Sequence, residues 1–237
     1  MTFSIIARDE ETGRIGAAVA SKFLAVGARN VFVRTGVGIV VTQAFFNPYY
    51  GPRGLALLAA GAAAPDAVRL LLAADEGRQM RQVHVMDRRG QFAAYTGTEC
   101  VAWCGHVLRD TCSVAGNTLA GPGVLAAMTS AYEANAELPF ARRLIAAMQA
   151  GETAGGDTRG RQSAVLVVHD QEEYSLLDLR ADDHADPLAE IARLEEVARQ
   201  SWVHFRRVLP NAANPSGILD GATCHASIAT SIAEGYE

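Results

Sequence analysis

The spacing of apolar and polar positions changes several times along the chain, and each change marks an element. Short runs rich in Ile and Val occupy residues 4–7, 15–20, 31–33 and 37–42, divided by turn residues such as Glu11-Thr12-Gly13 and Thr35-Gly36. Runs of that length between turn clusters predict an antiparallel meander. The spacing then becomes helical. One helix is expected from Pro52, whose missing N–H costs nothing in a first turn, through Leu55, Leu57, Leu58 and Ala59. A second opens at Pro65-Asp66, carries Val68, Leu71 and Leu72 on one stripe, and ends before Gly77.

Strands are predicted again at 82–86 and 91–95, joined by Asp87-Arg88-Arg89-Gly90, and at 112–115. A second pair of helices follows at 122–134 and 139–150, then strands at 164–169 and 174–179. A last helix begins at Asp186-Pro187, where a capping Asp precedes a first-turn Pro; Leu188, Ile191, Leu194, Val197 and Ala198 keep helical spacing. Helices that arrive in pairs between blocks of antiparallel strands predict an α+β fold, a four-layer αββα sandwich of two sheets flanked by helices. No flexible linker interrupts the first 200 residues. The expectation is one domain over 1–209 and an appended tail over 210–237.

Composition narrows the class. Hydrophobic residues make up 49% and charged residues 20% of the 237, which excludes a disordered chain. Basic and acidic side chains number 21 and 26, a net charge of −5, and the arginines cluster only in pairs such as Arg88-Arg89 and Arg142-Arg143. That gives phosphates no surface, so no nucleic-acid partner is expected. No apolar run approaches the roughly 18 residues needed to span a bilayer, and no basic, then apolar, leader opens the sequence. A cytoplasmic protein without membrane contact is expected. Leu188, Ile191 and Leu194, with Trp202, Phe205 and Leu209, exceed what one buried face needs and point to a homo-oligomer.

Cys100, Cys104 and Cys112 lie close together with His106 among them, and Cys224 stands apart. Thiolate and imidazole are zinc ligands, but no Cys-x-x-Cys pair occurs, and buried free thiols explain the cluster as well. Neither a metal nor another cofactor is expected. His84 and His106 have no evident Asp or Glu partner, and Asp182-Asp183-His184 reads as a loop tied to the helix start.

Several stretches carry a family resemblance. They include Thr2-Phe3-Ser4-Ile5, Ala20-Ser21-Lys22-Phe23-Leu24-Ala25-Val26-Gly27, Thr42-Gln43-Ala44, Gly116-Asn117-Thr118-Leu119-Ala120-Gly121-Pro122 and Gly155-Gly156-Asp157-Thr158-Arg159-Gly160-Arg161-Gln162-Ser163-Ala164. Over about residues 2–200 the chain resembles an uncharacterised bacterial family, domain of unknown function 1028. That family is similar in fold to the N-terminal-nucleophile (Ntn) hydrolases, such as proteasome β-subunits and penicillin acylase.

The resemblance implies an amidohydrolase acting on a small peptide or N-acyl amino compound, or a catalytically inactive binding or scaffold protein on the same fold. In an Ntn enzyme the first residue's hydroxyl attacks a carbonyl and its own α-amine, with an unperturbed pKa near 8, takes the proton. Thr2 would be that residue once Met1 is removed. By the same resemblance, Asn117 or the backbone N–H groups beside it would form an oxyanion hole, and Asp157 would steady the nucleophile. Ser21, Lys22, Arg34, Gln43, Arg161 and Ser163 would line the substrate site. Proteasome subunits carry an Asp and a Lys where this chain has Ser21-Lys22 and Arg34, and an arginine cannot cycle a proton. Asp157 and Arg161 could instead pair with each other to order their loop.

Overall fold

The structure is a computed structural model and describes residues 2–235. It divides into two compact units, 1–191 and 192–237. The division falls inside a helix, earlier along the chain than the Leu209 boundary expected from sequence.

The N-terminal unit holds ten strands. β1 (Thr2–Arg8), β2 (Ile15–Ser21), β7 (Gly105–Leu108), β8 (Cys112–Asn117), β9 (Ser163–His169) and β10 (Leu177–Ala181) form one antiparallel sheet in the order β10-β9-β2-β1-β8-β7. The second sheet has the order β3-β4-β5-β6, from β3 (Val31–Arg34), β4 (Gly38–Ala44), β5 (Arg81–Asp87) and β6 (Phe92–Thr96). The sheets face each other, with β1 and β2 against β4 and with β5 against β8.

Between β2 and β3 lies the five-residue helix α1 (Val26–Asn30). It packs so closely on β9 that a Cβ at Gly27 would come 2.7 Å from the Val165 Cβ. Helices α2 (Tyr50–Ala59) and α3 (Ala64–Ala73) cover the outer face of the second sheet, packing on β3, β4, β5 and β6. Helices α4 (Gly123–Ala134) and α5 (Phe140–Thr153) cover the outer face of the first, packing on β1, β2, β8 and β9. The αββα sandwich expected from the pairing of helices is therefore present.

Each sheet is buried on both faces, which is why its strands are continuous apolar runs rather than alternating ones. Alternation still decides which layer a side chain enters. On β1, Thr2, Ser4 and Ile6 share the face toward the second sheet. Ile6, Ala17, Val19, Ile39, Val41, Met86, Val165 and Val167 form the apolar part of the inter-sheet core, with Val26 of α1 closing it.

Helix α6 (Pro187–Gln200) opens as expected, with the Asp186 carboxylate accepting from the Ala189 N–H at 3.2 Å. The C-terminal unit continues through α7 (Trp202–Phe205) and α8 (Gly221–Glu234), the latter capped by Asp220, which accepts from the Thr223 N–H at 2.8 Å. This helix lies in the segment expected as a tail; its sequence is mostly Ala, Ser and Thr with only Ile228 and Ile232 as large aliphatics, which gives little helical stripe. No helix among the described residues is long and apolar enough to cross a membrane.

Candidate functional site

At one end of the first sheet, four polar side chains form a row across four neighbouring strands. Ser163 on β9 pairs with Ser21 on β2, Ser21 with Thr2 on β1, and Thr2 with Asn117 on β8. Strand spacing makes this row about 14 Å long. All four residues are buried, Thr2 at 4% exposure. The Thr2 Oγ1 and Ser21 Oγ are 3.1 Å apart, a hydroxyl pair in which either can donate.

Two cavities open onto this row. One, of about 300 Å³, is lined by Thr2, Ser21, Phe23, Val26, Asn30 and Phe46. The other, of about 420 Å³, is lined by Asn117, Thr118, Arg159, Glu99, Val101 and Met80. Ala44 and Phe45 line both, so the end of β4 forms the ridge between them. Phe45 is 70% exposed on that ridge, with the Arg81 guanidinium 5.3 Å from its ring centre.

The backbone around the cavities is strained. Among the described residues, three that are not glycine have positive φ: Ala25 (53°), Ala44 (66°) and Thr118 (52°). Ala44 lines both cavities, Thr118 lines the second, and Ala25 precedes Val26 in the wall of the first. Such conformations cost on the order of 1–3 kcal/mol each and gather at functional sites. Here all three fall at one end of one sandwich.

Behind the row lies a buried polar network whose polarity can be read from its fixed end. The Gln82 Nε2 donates to the Gly105 and Gly116 carbonyls at 3.0 and 2.9 Å, and carbonyls can only accept. The Gln82 Oε1 therefore faces the other way and accepts from Gln43 Nε2 at 2.7 Å and Asn117 Nδ2 at 3.0 Å. That turns the Gln43 Oε1 toward Ser4, whose hydroxyl donates to it at 2.7 Å. With its proton committed, the Ser4 Oγ accepts from His84 Nε2 at 3.0 Å, leaving His84 Nδ1 to accept from the Ser113 hydroxyl at 3.1 Å. The chain assigns the Nε2–H tautomer of His84. Burial first, and the charge of His106 second, lower its pKa to about 3, so the ring is neutral.

Thr2 and Ser21 line the first cavity and Asn117 the second. Asn117 commits one amide N–H to Gln82 and keeps a second on the same nitrogen. The Thr118 and Leu119 N–H groups beside it donate to the Val101 and Trp103 carbonyls at 2.8 and 2.9 Å.

Asp157 does not reach Thr2. Its carboxylate accepts from the Lys22 N–H at 3.1 Å and the Arg159 N–H at 2.8 Å, with the Arg159 guanidinium 3.5 Å away. It steadies the corner where β2 ends. Nor does it pair with Arg161, which meets Asp186 at 2.8 Å and Glu152 at 3.3 Å. Lys22 turns its ammonium to the Arg161 carbonyl at 3.2 Å, away from the row.

The Ser163 hydroxyl is spent on the backbone: it donates to the Phe23 carbonyl and accepts from the Val26 N–H at 3.1 Å. It shapes the 22–26 loop rather than facing a substrate. Gln43 is wholly buried in the network behind the row. Arg34 is placed elsewhere. Because α1 intervenes, β3 starts at the Thr2 end and runs away from it, so Arg34 closes the strand at the far end, exposed and paired with Gly38.

Asn30 takes the near position, buried in the first cavity wall. Its Nδ2 donates to the Thr42 carbonyl at 2.6 Å, and its Oδ1 has no hydrogen-bond partner among the described residues. Sequence reasoning missed Asn30 and Gln82. The signal for Gln82 was an amide at an inward position of a strand otherwise built to be buried.

Among the described residues no group of three His, Cys, Asp or Glu side chains could hold a metal ion. Cys100 and Cys112 are core thiols, which burial pushes up to about 11 and about 12, while Cys104 and Cys224 are partly buried. The Cys100 thiol donates to the Arg81 carbonyl at 3.3 Å. His184 accepts from the Asp186 N–H at 3.0 Å, and the Ala25 N–H donates to the Asp182 carbonyl at 3.0 Å, so that trio is a loop scaffold.

Two antiparallel sheets between helical layers, with a threonine at the start of a central strand and polar groups gathered about it, define a four-layer αββα protein. Residues 2–191 match the model of a family of unknown function, DUF1028, and the chain belongs to that family. It is similar to a DUF1028 protein of Silicibacter pomeroyi known from its crystal structure, with 35% identity and a TM-score of 0.86 over 92% of this chain and 99% of that one. A remote likeness joins it to Anbu, an ancestral β-subunit from Yersinia bercovieri, with 11% identity and a TM-score of 0.40 over 83% and 94% of the two chains. No curated protein matches the chain.

Proposed function

We propose that the protein is an amidohydrolase of the N-terminal-nucleophile type, acting on a small peptide or N-acyl amino compound with Thr2 as nucleophile. The observation that carries this reading is the Thr2 hydroxyl: it stands at the start of the central strand, buried, yet lines a cavity of about 300 Å³. Removal of Met1, which lies outside the described residues, frees the Thr2 α-amine. The Oγ1 then attacks the amide carbonyl while the amine takes its proton, and the second N–H of Asn117 Nδ2 donates to the developing oxyanion. The amine returns the proton to the leaving nitrogen, and water hydrolyses the resulting ester. Ser21, 3.1 Å from the nucleophile, holds its hydroxyl in place.

The alternative is a binding protein on the same fold. It is favoured by the absence, among the described residues, of any Lys, Asp or His side chain hydrogen-bonded to Thr2. Turnover of amide substrates by wild type, lost in Thr2→Ala with unchanged melting, supports the hydrolase. Ligand stabilisation without turnover in protein that begins at Thr2 supports the binder.

Self-association is part of the proposal. Phe205, Leu219 and Ile232 of the C-terminal unit are exposed at 48, 84 and 53%, apolar surface that a second copy would cover. A dimer or larger species in light scattering at micromolar protein supports it; a monomer there counts against it.

A further inference from the structure

One aromatic side chain at the cleft is held out toward solvent by three separate devices. Resting on the reading of Thr2 as nucleophile, we infer that Phe45 is the specificity-determining residue of the cleft, seating an aromatic acyl group in the cavity of Thr2, and that Arg81 is the positioning residue that holds Phe45 there. Phe45 is 70% exposed, on the ridge that both cavities share. Left unheld, a side chain so exposed samples several rotamers.

The backbone aims the ring first. Ala44, immediately before it, has a φ of +66°, which bends the chain at the end of β4 at an energetic cost. Arg81 supplies the other two devices. Its Nη1 donates to the Phe45 carbonyl at 2.6 Å, and its guanidinium carbon lies 5.3 Å from the ring centre, a cation–π contact. Arg81 is anchored in turn, its Nε donating to Asp75 Oδ2 at 3.0 Å in an ion pair whose side chains are only 13% and 11% exposed. Asp75 also accepts from the Tyr50 hydroxyl, Asn47 Nδ2 and the Gly77 N–H, each at 2.9 Å. A buried ion pair adds little net stability, so this one is better explained by what it positions.

The other aromatic walls of the first cavity are Phe23 and Phe46, in edge-to-face contact with centroids 6.1 Å apart and planes at 72°. Three rings around about 300 Å³ suit one ring of a ligand, which gains stacking and edge contacts that a saturated ring cannot make. The neighbouring cavity shares Phe45 but has no other aromatic wall, so the ring of the ligand belongs beside Thr2.

The test measures binding, so it does not depend on turnover. Thr2→Ala protein is titrated calorimetrically with three uncharged N-methylamides, those of 3-phenylpropanoic, 3-cyclohexylpropanoic and acetic acids. The phenyl compound should bind about three- to tenfold tighter than the cyclohexyl compound, the scale of an aromatic contact beyond its buried area. It should bind about tenfold or more tighter than the acetyl compound, the scale of one buried apolar group. Phe45→Leu in the same background removes most of the phenyl advantage over cyclohexyl and keeps both above acetyl. Arg81→Gln does the same, and combining it with Phe45→Leu changes the ratio no further. Where Arg81→Gln alone does not fold, Arg81→Gln with Asp75→Asn, which leaves no unpaired buried charge, takes its place.

Equal affinity for the phenyl and cyclohexyl compounds, or a phenyl advantage unchanged by Phe45→Leu, overturns the assignment of Phe45. An Arg81 variant that folds and weakens all three ligands alike, or keeps the phenyl advantage, overturns the positioning role. The expected binding pattern without hydrolysis by wild type overturns the hydrolase reading alone. Hydrolysis of amides without preference for an aromatic acyl group overturns this inference alone.

Discussion

The layer between the two sheets is built in two ways. At one end, Ile6, Ala17, Ile39 and Met86 meet in a dry apolar core. At the other, the same strands present Thr2, Ser21, Gln43 and Gln82, with Asn117 beside them, and the backbone holds three non-glycine residues at positive φ. Burial is alike at both ends, so access to water does not explain the change. The apolar end contributes stability through excluded surface. The polar end can remain buried only because its groups satisfy one another in a fixed order, starting from two backbone carbonyls. Such networks specify an arrangement more than they stabilise it. A protein that needed only to fold would extend the apolar packing along the whole strand.

Substitutions at the two ends should separate these contributions. The largest loss of stability is expected from Ile6→Ala, about 4–5 kcal/mol in chemical denaturation, the upper part of the range for such truncations, because the site is sealed and cannot collapse fully. Gln82→Leu comes next, at about 3 kcal/mol, since it strands Gln43, Asn117 and two carbonyls. A loss there matching Ile6→Ala would make the network a stability element and erase the contrast.

His84 gives a smaller effect with a defined sign. Its folded pKa is about 3 against 6.5 in the free side chain, so the unfolded chain binds the extra proton between those values. Its contribution is complete above pH 6.5 and is lost as pH falls toward 3, approaching about 1.4 kcal/mol per pH unit. Denaturation of wild type against His84→Gln from pH 7 to pH 5 should show the steeper slope in wild type, with His106, whose pKa burial also lowers, contributing to both; equal slopes would place another group behind the acid sensitivity.

Thr2→Ala should change stability least, by about 1 kcal/mol or less, because one hydroxyl pair is lost. Turnover should fall by about a thousandfold or more, as when nucleophiles are removed elsewhere.

The layers were legible because each long element keeps a single period. The helices at Pro65 and Pro187 announce themselves by proline and stripe, and the strands at 15–20 and 164–169 by uninterrupted Val, Ile, Leu and Ala. β7 was not, because Gly105-His106-Val107-Leu108 is a half-exposed edge strand with one β-branched residue. α1 was missed for another reason: five residues containing glycine form a helix only when docked on β9.

At the row, the positions of Thr2, Ser21 and Asn117 could be read from sequence, since each lies at a strand terminus within a family motif. Arg34 could not be placed correctly without knowing that α1 reverses the chain before β3. Gln82 and Asn30 were hidden because one amide at a strand or helix end looks like turn chemistry until its partners across the sheet are known.

The central claim is that Thr2 acts as an N-terminal nucleophile, and the intact mass of purified, catalytically competent protein tests it most directly. Hydrolysis by a species that begins at Thr2, lighter than the full sequence by one methionine, is the expected result. Undiminished hydrolysis by protein that retains Met1 quantitatively would contradict it, because a peptide nitrogen cannot take the proton from Oγ1.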